Sequence, residues 1–525
     1  MEKSPTEKAS PTLKRRESKV QSCKLNNDIG THISRPKTRI ICTIGPKSND
    51  VQLLCSLLDF GMCCVRLNTA HGDFNFHQSI IDNTRKACCI KNTICAIMLD
   101  IKGPEIRTIK LRPNPSLDNK KEWQLNADQE FWFTTDKEHL GDDKMVAVTY
   151  EKLPQTVHQG SKILVADGLI AFRVLETDGV SKVKCVVKNT GVIGENKNMN
   201  LPGHSVDLPA VTEKDKKFVE FGIKNEIDII ACSFIRKAQD ILDIRALPGV
   251  LESRCCLIAK IENQEGIDNF DQILEVTDGV MVARGDLGVE IPLPSVATAQ
   301  KMMITKCNQA GKPVITATQM LESMIRNPRP TRAEVGDVYN AILDGSDCVM
   351  LSGETANGNH PVKAVKIMAS VCLEAEKQAD HRSHFTNIRN TAPTAELQIP
   401  ESVATSAVST SWDLQVSLIV ALSKSGLTAR LISKYRPHCP VLAVTSEVST
   451  ANSLLLSRGI IPYLVSGIEG VEVTAEKGIS KAIQCKLIKD GDLVVITSGA
   501  FNNLIGKTSM LRVVKIENNS VNYVF

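Results

Sequence analysis

A chain of 525 residues, 42% apolar and 23% charged, has the make-up of a folded protein of two to four domains. Its 63 basic and 59 acidic side chains leave a net charge of only +4, and 4% of residues are aromatic. This speaks against a nucleic-acid partner, which wants a basic face and base-stacking rings, and no run of ~18 apolar residues predicts a membrane span.

Residues 1–36 are rich in Ser, Thr and Pro, carry eight basic and four acidic side chains, and have no apolar core of a secretory signal. They are expected to form a flexible arm. From residue 38, short and nearly continuous apolar runs alternate with amphipathic segments. The runs are 38–45, 62–68, 93–100, 227–234, 256–262, 279–284, 313–318 and 348–352, with helices predicted over 51–60, 78–91, 269–276 and 295–310. Strands buried on both faces of a parallel sheet read this way. Eight such units predict an α/β fold, a (β/α)8 TIM barrel over 37–107 and 206–385, with an open doubly wound sheet as the alternative. About 125 residues separate the third and fourth runs, too many for a loop. The alternating, glycine-punctuated texture of 108–205 predicts an inserted β-barrel lid domain. Past a polar stretch at 381–394, a C-terminal α/β domain is expected over 386–525, with strands at 418–422, 441–444, 460–465, 493–497 and 511–516. The 17 cysteines include three adjacent pairs and no C-x-x-C, and read as small core side chains in a reducing, cytoplasmic setting.

Polar residues at the C-terminal ends of barrel strands are the catalytic candidates. Here they are Arg66 and Asn68, Asp100 and Lys102, Lys260 and Glu262, Arg284-Gly285-Asp286, Thr318, and Ser352 with Glu354. So many charges at one end are costly unless used or paired. Glu262 and Asp286 are too few ligands for a closed cage and suit Mg²⁺, which keeps waters and substrate oxygens. Arg66 and Lys260 bring positive charge for a phosphate or carboxylate. Phosphoryl transfer and enolate chemistry fit these residues equally well.

The stretches Ile40-Ile41-Cys42-Thr43-Ile44-Gly45-Pro46, Asp100-Ile101-Lys102-Gly103-Pro104-Glu105-Ile106-Arg107 and Lys260-Ile261-Glu262-Asn263 are long and specific. So are Ala283-Arg284-Gly285-Asp286-Leu287-Gly288, Ala317-Thr318-Gln319-Met320-Leu321-Glu322 and Leu351-Ser352-Gly353-Glu354-Thr355-Ala356. In this order they resemble pyruvate kinase over about residues 37–515. The resemblance implies transfer of the phosphoryl group of phosphoenolpyruvate to ADP in glycolysis, giving ATP and an enolate that is protonated to pyruvate. It implies that Lys260 and Arg66 meet the moving phosphoryl group, that Gly285 and Asp286 meet the substrate carboxylate, and that Thr318 lies near the proton route. Asn68, His71, Arg107 and Lys197 fall where the family meets ADP or ATP. Glu262 and Asp286 match its Mg²⁺ ligands; Asn68, Asp100 and the Ile101 carbonyl match its K⁺ ligands. A homotetramer is implied in the same way.

The chain departs from the family's pattern at informative places. Ala70 stands where a serine hydroxyl usually helps to bind K⁺, while Glu105 is the residue type of K⁺-dependent members. Ala166 replaces the first aspartate of a lid Asp-Asp-Gly-Leu, and Asn198 stands where glycine is frequent; both changes are expected to loosen lid closure or the fit of ADP. Ser423, Lys424, Ser425 and Thr428 keep the form of a phosphate-cradling turn. Cys485, however, replaces an activator-binding arginine, and the loop at 499–506 is rebuilt, so a phosphate-binding remnant without regulation is expected. The alternative reading is a weakened paralogue with a binding or assembly role.

Overall fold

Eight short parallel strands, every one buried, close on themselves: Arg39–Thr43, Met62–Asn68, Ala96–Ile101, Ile229–Cys232, Cys256–Ile261, Gly279–Ala283, Val314–Ala317 and Cys348–Leu351. The computed structural model describes residues 27, 29, 35–115, 118, 120–391, 398–467, 470–499, 508–518 and 520–523. Pairing of Ile40 with Val349 and of Ile41 with Met350 joins the first strand to the eighth. This is the expected barrel, and its closure excludes the open sheet. Inward side chains such as Ile41, Met98, Ile258, Met281, Ile315 and Met350 fill the interior. The helix predicted from residue 78 begins at Phe74, because the Asp73 carboxylate caps it by accepting from the Phe76 amide.

The insertion leaves the barrel after the third strand. It forms a seven-stranded sheet and a two-stranded ribbon around Phe131, Phe133 and Phe172. The sheet's edge strands, Ile106–Arg107 and Met145–Ala147, are brought together by a bridge between Thr108 and Val148, so the lid curls into a barrel of its own.

The C-terminal unit is a six-stranded sheet. Strands Ile460–Leu464, Val441–Thr445, Leu418–Leu422 and Leu493–Gly499 run parallel; Thr508–Glu517 is antiparallel to them and pairs with a sixth strand, Ser520–Tyr523, that the sequence reading did not include. Most of the polar stretch at 381–394 is a helix, His381–Thr391, which buries Phe385 and Ile388. Part of the expected loose arm is also docked: Asn27 donates to the Pro462 carbonyl at 2.8 Å, and Ile29 is fully buried in the C-terminal core. Most described cysteines are buried, as expected of core cysteines, whereas Cys89 is disulfide-bonded.

The C-terminal unit plugs the barrel end opposite the catalytic candidates. Leu455 and Leu456 pack among the residues that begin the strands, and their carbonyls accept from the Cys63 and Cys348 thiols. Beside this plug the seam is strongly basic. His381 faces Arg458, Lys37, Arg436 and His384; His384 faces Arg436, Arg458 and Asp347. Burial, then these cations, push the imidazoles down to about 3 and about 4 respectively. Both titrate near 6.5 when unfolded, so between that pH and the folded values the unfolded chain binds more protons and stability rises with pH. Stability is therefore expected to fall as the pH drops from about 6.5 to about 4. His384→Gln should flatten that fall by at most about 3 kcal/mol in denaturant titrations; identical pH profiles would disprove the assignment.

Candidate active site

Arg66, Asp100, Ser233, Lys260 and Glu262 come from four neighbouring strand ends and form one buried chain of contacts. Arg66 Nε stands 2.7 Å from Asp100 Oδ2, and Arg66 Nη1 donates to Thr43 Oγ1 at 2.9 Å. Asp100 Oδ1 accepts from Lys260 Nζ at 3.1 Å and from Ser233 Oγ at 3.3 Å. Lys260 Nζ also donates to Ser233 Oγ at 2.6 Å and lies 3.0 Å from Glu262 Oε1. Ser233 was missed by the sequence reading; as the polar residue just past the fourth strand it follows the same rule as the others. Phe234 beside it has φ +56° and donates its amide to Glu262 Oε2 at 2.5 Å. A left-handed phenylalanine is strained by ~1–2 kcal/mol, and the carboxylate bond helps to hold it.

Across the mouth, Thr318 and Gln319 are both left-handed, at φ +68° and +55°. For β-branched Thr318 this is an outlier, and three bonds hold it. Its hydroxyl accepts from the Gly285 amide at 2.7 Å and donates to the Ala317 carbonyl at 2.6 Å, while Arg284 Nη2 donates to its carbonyl at 2.8 Å. Arg284 also pairs with Asp337 at 2.7 Å, so it braces the loop. Glu354 is spent on the Leu321 and Ser352 amides, and Lys102 on Glu105; these strand-end candidates are structural here.

Electrostatics separate the carboxylates. Burial alone would raise Asp100, but Arg66 and Lys260 hold it below its ordinary value. Burial raises Glu262 to about 8, with Asp286 pushing the same way against Lys260. Asp286 is likewise raised by burial and by the neighbouring charges of Asp167, Glu105 and Asp100. Glu262 Oε1 is buried with no aligned hydrogen-bond donor, although the Lys260 ammonium is near. Two desolvated carboxylates, one with an orphaned oxygen, fit a hard divalent cation that takes its other ligands from substrate and water. The K⁺ ligand set fits less fully. The oxygens of Asp100 are already shared with Arg66, Lys260 and Ser233, and Asn68 Oδ1 accepts from the Ala70 amide at 3.2 Å. The Ile101 backbone is in the third strand next to Asp100.

The residues assigned to the nucleotide lie on both sides of the lid hinge. Asn68 ends the second strand and pairs in register with Asp100; His71 is exposed, its carbonyl 2.9 Å from His77 Nε2. Arg107 Nε donates to Glu105 at 2.6 Å, and the Arg107 backbone pairs with Asn198. Lys197 precedes that pair, its amide donating to Thr108 Oγ1 at 2.9 Å. Between the lid hinge and the barrel lies a cavity of about 370 Å³, bordered by Glu105, Asn200, Phe234 and Glu290.

The turn read as a phosphate cradle is only partly free. Ser423 and Thr428 are buried, and Thr428 shares a hydrogen bond with Thr508. Ser425 Oγ accepts weakly from the Leu427 amide at 3.5 Å, while Lys424 is exposed. Cys485 caps helix Val471–Gln484, and residues 500–506 of the rebuilt loop lie outside the described residues.

With no nucleophile–base pair among these side chains, the mouth offers charge neutralisation, the property of barrel enzymes that act on phosphoryl groups and enolates. The pyruvate kinase barrel-domain profile matches residues 35–365, and the pyruvate kinase alpha/beta-domain profile matches residues 401–514. A pyruvate kinase of Dictyostelium discoideum is 47% identical over 484 residues, covering 91% of this chain and 94% of its own. A cytosolic isozyme of pyruvate kinase from Nicotiana tabacum is 44% identical over 518 residues, covering 94% and 99%. A crystal structure of a pyruvate kinase from Cryptosporidium parvum superposes with a TM-score of 0.87 at 42% identity, covering 94% of this chain and 98% of that one. The chain belongs to the pyruvate kinase family and has its transferase function.

Proposed function

We propose that this chain moves the phosphoryl group of phosphoenolpyruvate to ADP through the Arg66–Asp100–Lys260–Glu262 array. The observation that carries the reading is the buried Lys260 ammonium, held between Asp100 and Glu262 at 3.1 and 3.0 Å. The phosphorus–oxygen bond to the enol oxygen breaks as the bond to an ADP β-phosphate oxygen forms. Little covalent help is needed, and charge on the moving group is the barrier. Lys260 and Arg66 supply fixed positive charge that needs no reorganisation. The electron pair left on the enolate oxygen then returns to carbon, which takes a proton on the Thr318 side. The Gly285 and Asp286 backbone is assigned to the substrate carboxylate, and Asn68, His71, Arg107 and Lys197 to the nucleotide. Mg²⁺ held by Glu262 and Asp286 would neutralise phosphoryl and enolate oxygens, and K⁺ would be held by Asn68, Asp100 and the Ile101 carbonyl.

A coupled assay with phosphoenolpyruvate, ADP, Mg²⁺ and K⁺ tests the proposal; absence of ATP at high K⁺ rejects it in favour of the weakened-paralogue reading. Ala70 supports a raised K⁺ requirement. One missing polar ligand costs ~1–2 kcal/mol, so half-saturation should lie roughly five- to thirty-fold above that of Ala70→Ser. Superimposable K⁺ titrations of the two proteins would remove the idea. A cytoplasmic setting is supported by the cytosolic isozymes named among the plant relatives. No helix among the described residues is long and apolar enough to cross a membrane. A homotetramer is proposed on the family resemblance. In the C-terminal turn, Ser423, Lys424, Ser425 and Thr428 are proposed as a phosphate-binding remnant without a regulatory role; a rate that rises saturably with fructose 1,6-bisphosphate would overturn it.

A further inference from the structure

The seam between the barrel and the C-terminal unit gathers Lys37, Arg39, Arg436 and Arg458 around Asp347 and Glu376, so cations outnumber carboxylates. The three arginines are buried, and a buried charge is costly unless it is paired. Lys37 Nζ donates to the Pro437 carbonyl at 3.5 Å and to the His438 carbonyl. Arg39 donates to the Ser457 carbonyl at 3.2 Å and to the Ile460 carbonyl. Carbonyls satisfy these N–H groups but cancel no charge. Both carboxylates are already engaged. Asp347 lies 2.6 Å from Arg436. Glu376 accepts from the Lys37 and Thr38 amides at 3.0 and 2.6 Å and from the Thr38 hydroxyl at 2.8 Å.

Arg458 is left over. It is 6% exposed, yet among the described residues its guanidinium makes no hydrogen bond and no ion pair. Only its backbone is engaged: the amide donates to Asp347 at 3.4 Å, and the carbonyl accepts from Ser433 Oγ at 2.6 Å. Glu376 acts on the guanidinium from farther off. A second group beside it is also open. His384 feels the charges of Arg436 and Arg458, and its buried Nε2 has no partner among the described residues. A neutral imidazole can carry its proton on that nitrogen and donate it. A water molecule would satisfy these donors and leave the surplus charge in place; an anion answers both needs. The cleft that reaches the cluster is bordered by Asp347, Arg436 and Ser457 and has a volume of about 10 Å³, room for one water-sized particle and too little for a tetrahedral oxyanion.

We propose that this seam is a binding site for a single halide ion such as chloride, held by the Arg458 guanidinium and by His384 Nε2–H. Lys37 and Arg39 belong to the barrel and Arg458 to the C-terminal unit, so the ion ties the two together by neutralising charge from both. The site lies at the barrel end opposite the catalytic mouth and does not depend on the phosphoryl-transfer reading.

Crystals of the whole chain soaked in sodium bromide should show an anomalous bromine peak within hydrogen-bonding reach of both Arg458 and His384. In solution, replacing gluconate by chloride at about 0.2 M and constant ionic strength should raise the melting temperature of the wild type by about 5 °C. Arg458→Met, which removes the charge that calls for the ion, should respond by less than about 1 °C. In gluconate this variant should melt no lower than the wild type, because it leaves no unpaired guanidinium in the seam. The crystal measurement needs no variant and stands even if Arg458→Met folds poorly. A water molecule at the site in place of bromide, a phosphate or sulfate bound there instead, or equal chloride responses in the two proteins would overturn the proposal.

Discussion

Lys260→Met is expected to lower kcat by roughly 10³- to 10⁵-fold, the scale at which a fixed cation on a moving phosphoryl group acts. Burial alone would weaken the ammonium's hold on its proton, but Asp100 and Glu262 reverse this and keep it charged throughout the working pH range. The methionine fills similar volume without charge, so the barrel interior is preserved. Asp100 still has Arg66 at 2.7 Å and Ser233 at 3.3 Å. Glu262 keeps the Phe234 amide at 2.5 Å. The loss should therefore appear in turnover more than in melting temperature. Phosphoryl transfer and enolate protonation can be read apart. Deuterium exchange into the methyl group of pyruvate should survive in Lys260→Met better than ATP formation does. Thr318→Ala should show the opposite pattern, because it leaves the positive array intact and disturbs the proton side. Equal damage to both reactions in both variants would contradict the division of roles.

Lys260, Glu262 and Asp286 were legible because they break apolar runs at their C-terminal ends, where a barrel exposes its strands to solvent. Ser233 obeys the same rule but is small and neutral, so a scan weighted towards charge passes over it. The left-handed backbones of Phe234 and Thr318 leave no mark in composition; they are imposed by tertiary bonds from Glu262, Gly285 and Arg284. Asn198 illustrates the limit more sharply. As a residue type it reads as turn or loop, whereas its effect depends on a turn 32 residues earlier in the chain, where Ala166 and Asp167 need its bonds. Helix His381–Thr391 was hidden for a related reason. Its sequence is polar and only Phe385 and Ile388 reach the core, so packing, not periodicity, makes it a helix.

The largest stability effect belongs to the seam between the barrel and the C-terminal unit. Arg436 Nη1 lies 2.6 Å from Asp347 Oδ1, and Nη2 donates to Asn308 Oδ1 at 2.5 Å and to the Gly345 carbonyl at 2.8 Å. Asp347 also accepts from the Val314 amide at 3.1 Å, at the start of a barrel strand. Arginine and aspartate are both buried, so removing one strands the other in a low-dielectric setting. Arg436→Ala should cost about 3–5 kcal/mol, seen as a lower denaturant midpoint. Combining Arg436→Met with Asp347→Asn should recover much of the loss, because neither member of the ion pair is then left as a buried charge and the Val314 amide keeps an acceptor. A double variant no more stable than Arg436→Ala would show that the Asn308 and Gly345 contacts, not the ion pair, hold the seam. The catalytic mouth lies at the opposite end of the strands, so under native conditions the Mg-ADP and phosphoenolpyruvate constants should stay within about two-fold of wild type, separating this effect from that of Lys260→Met.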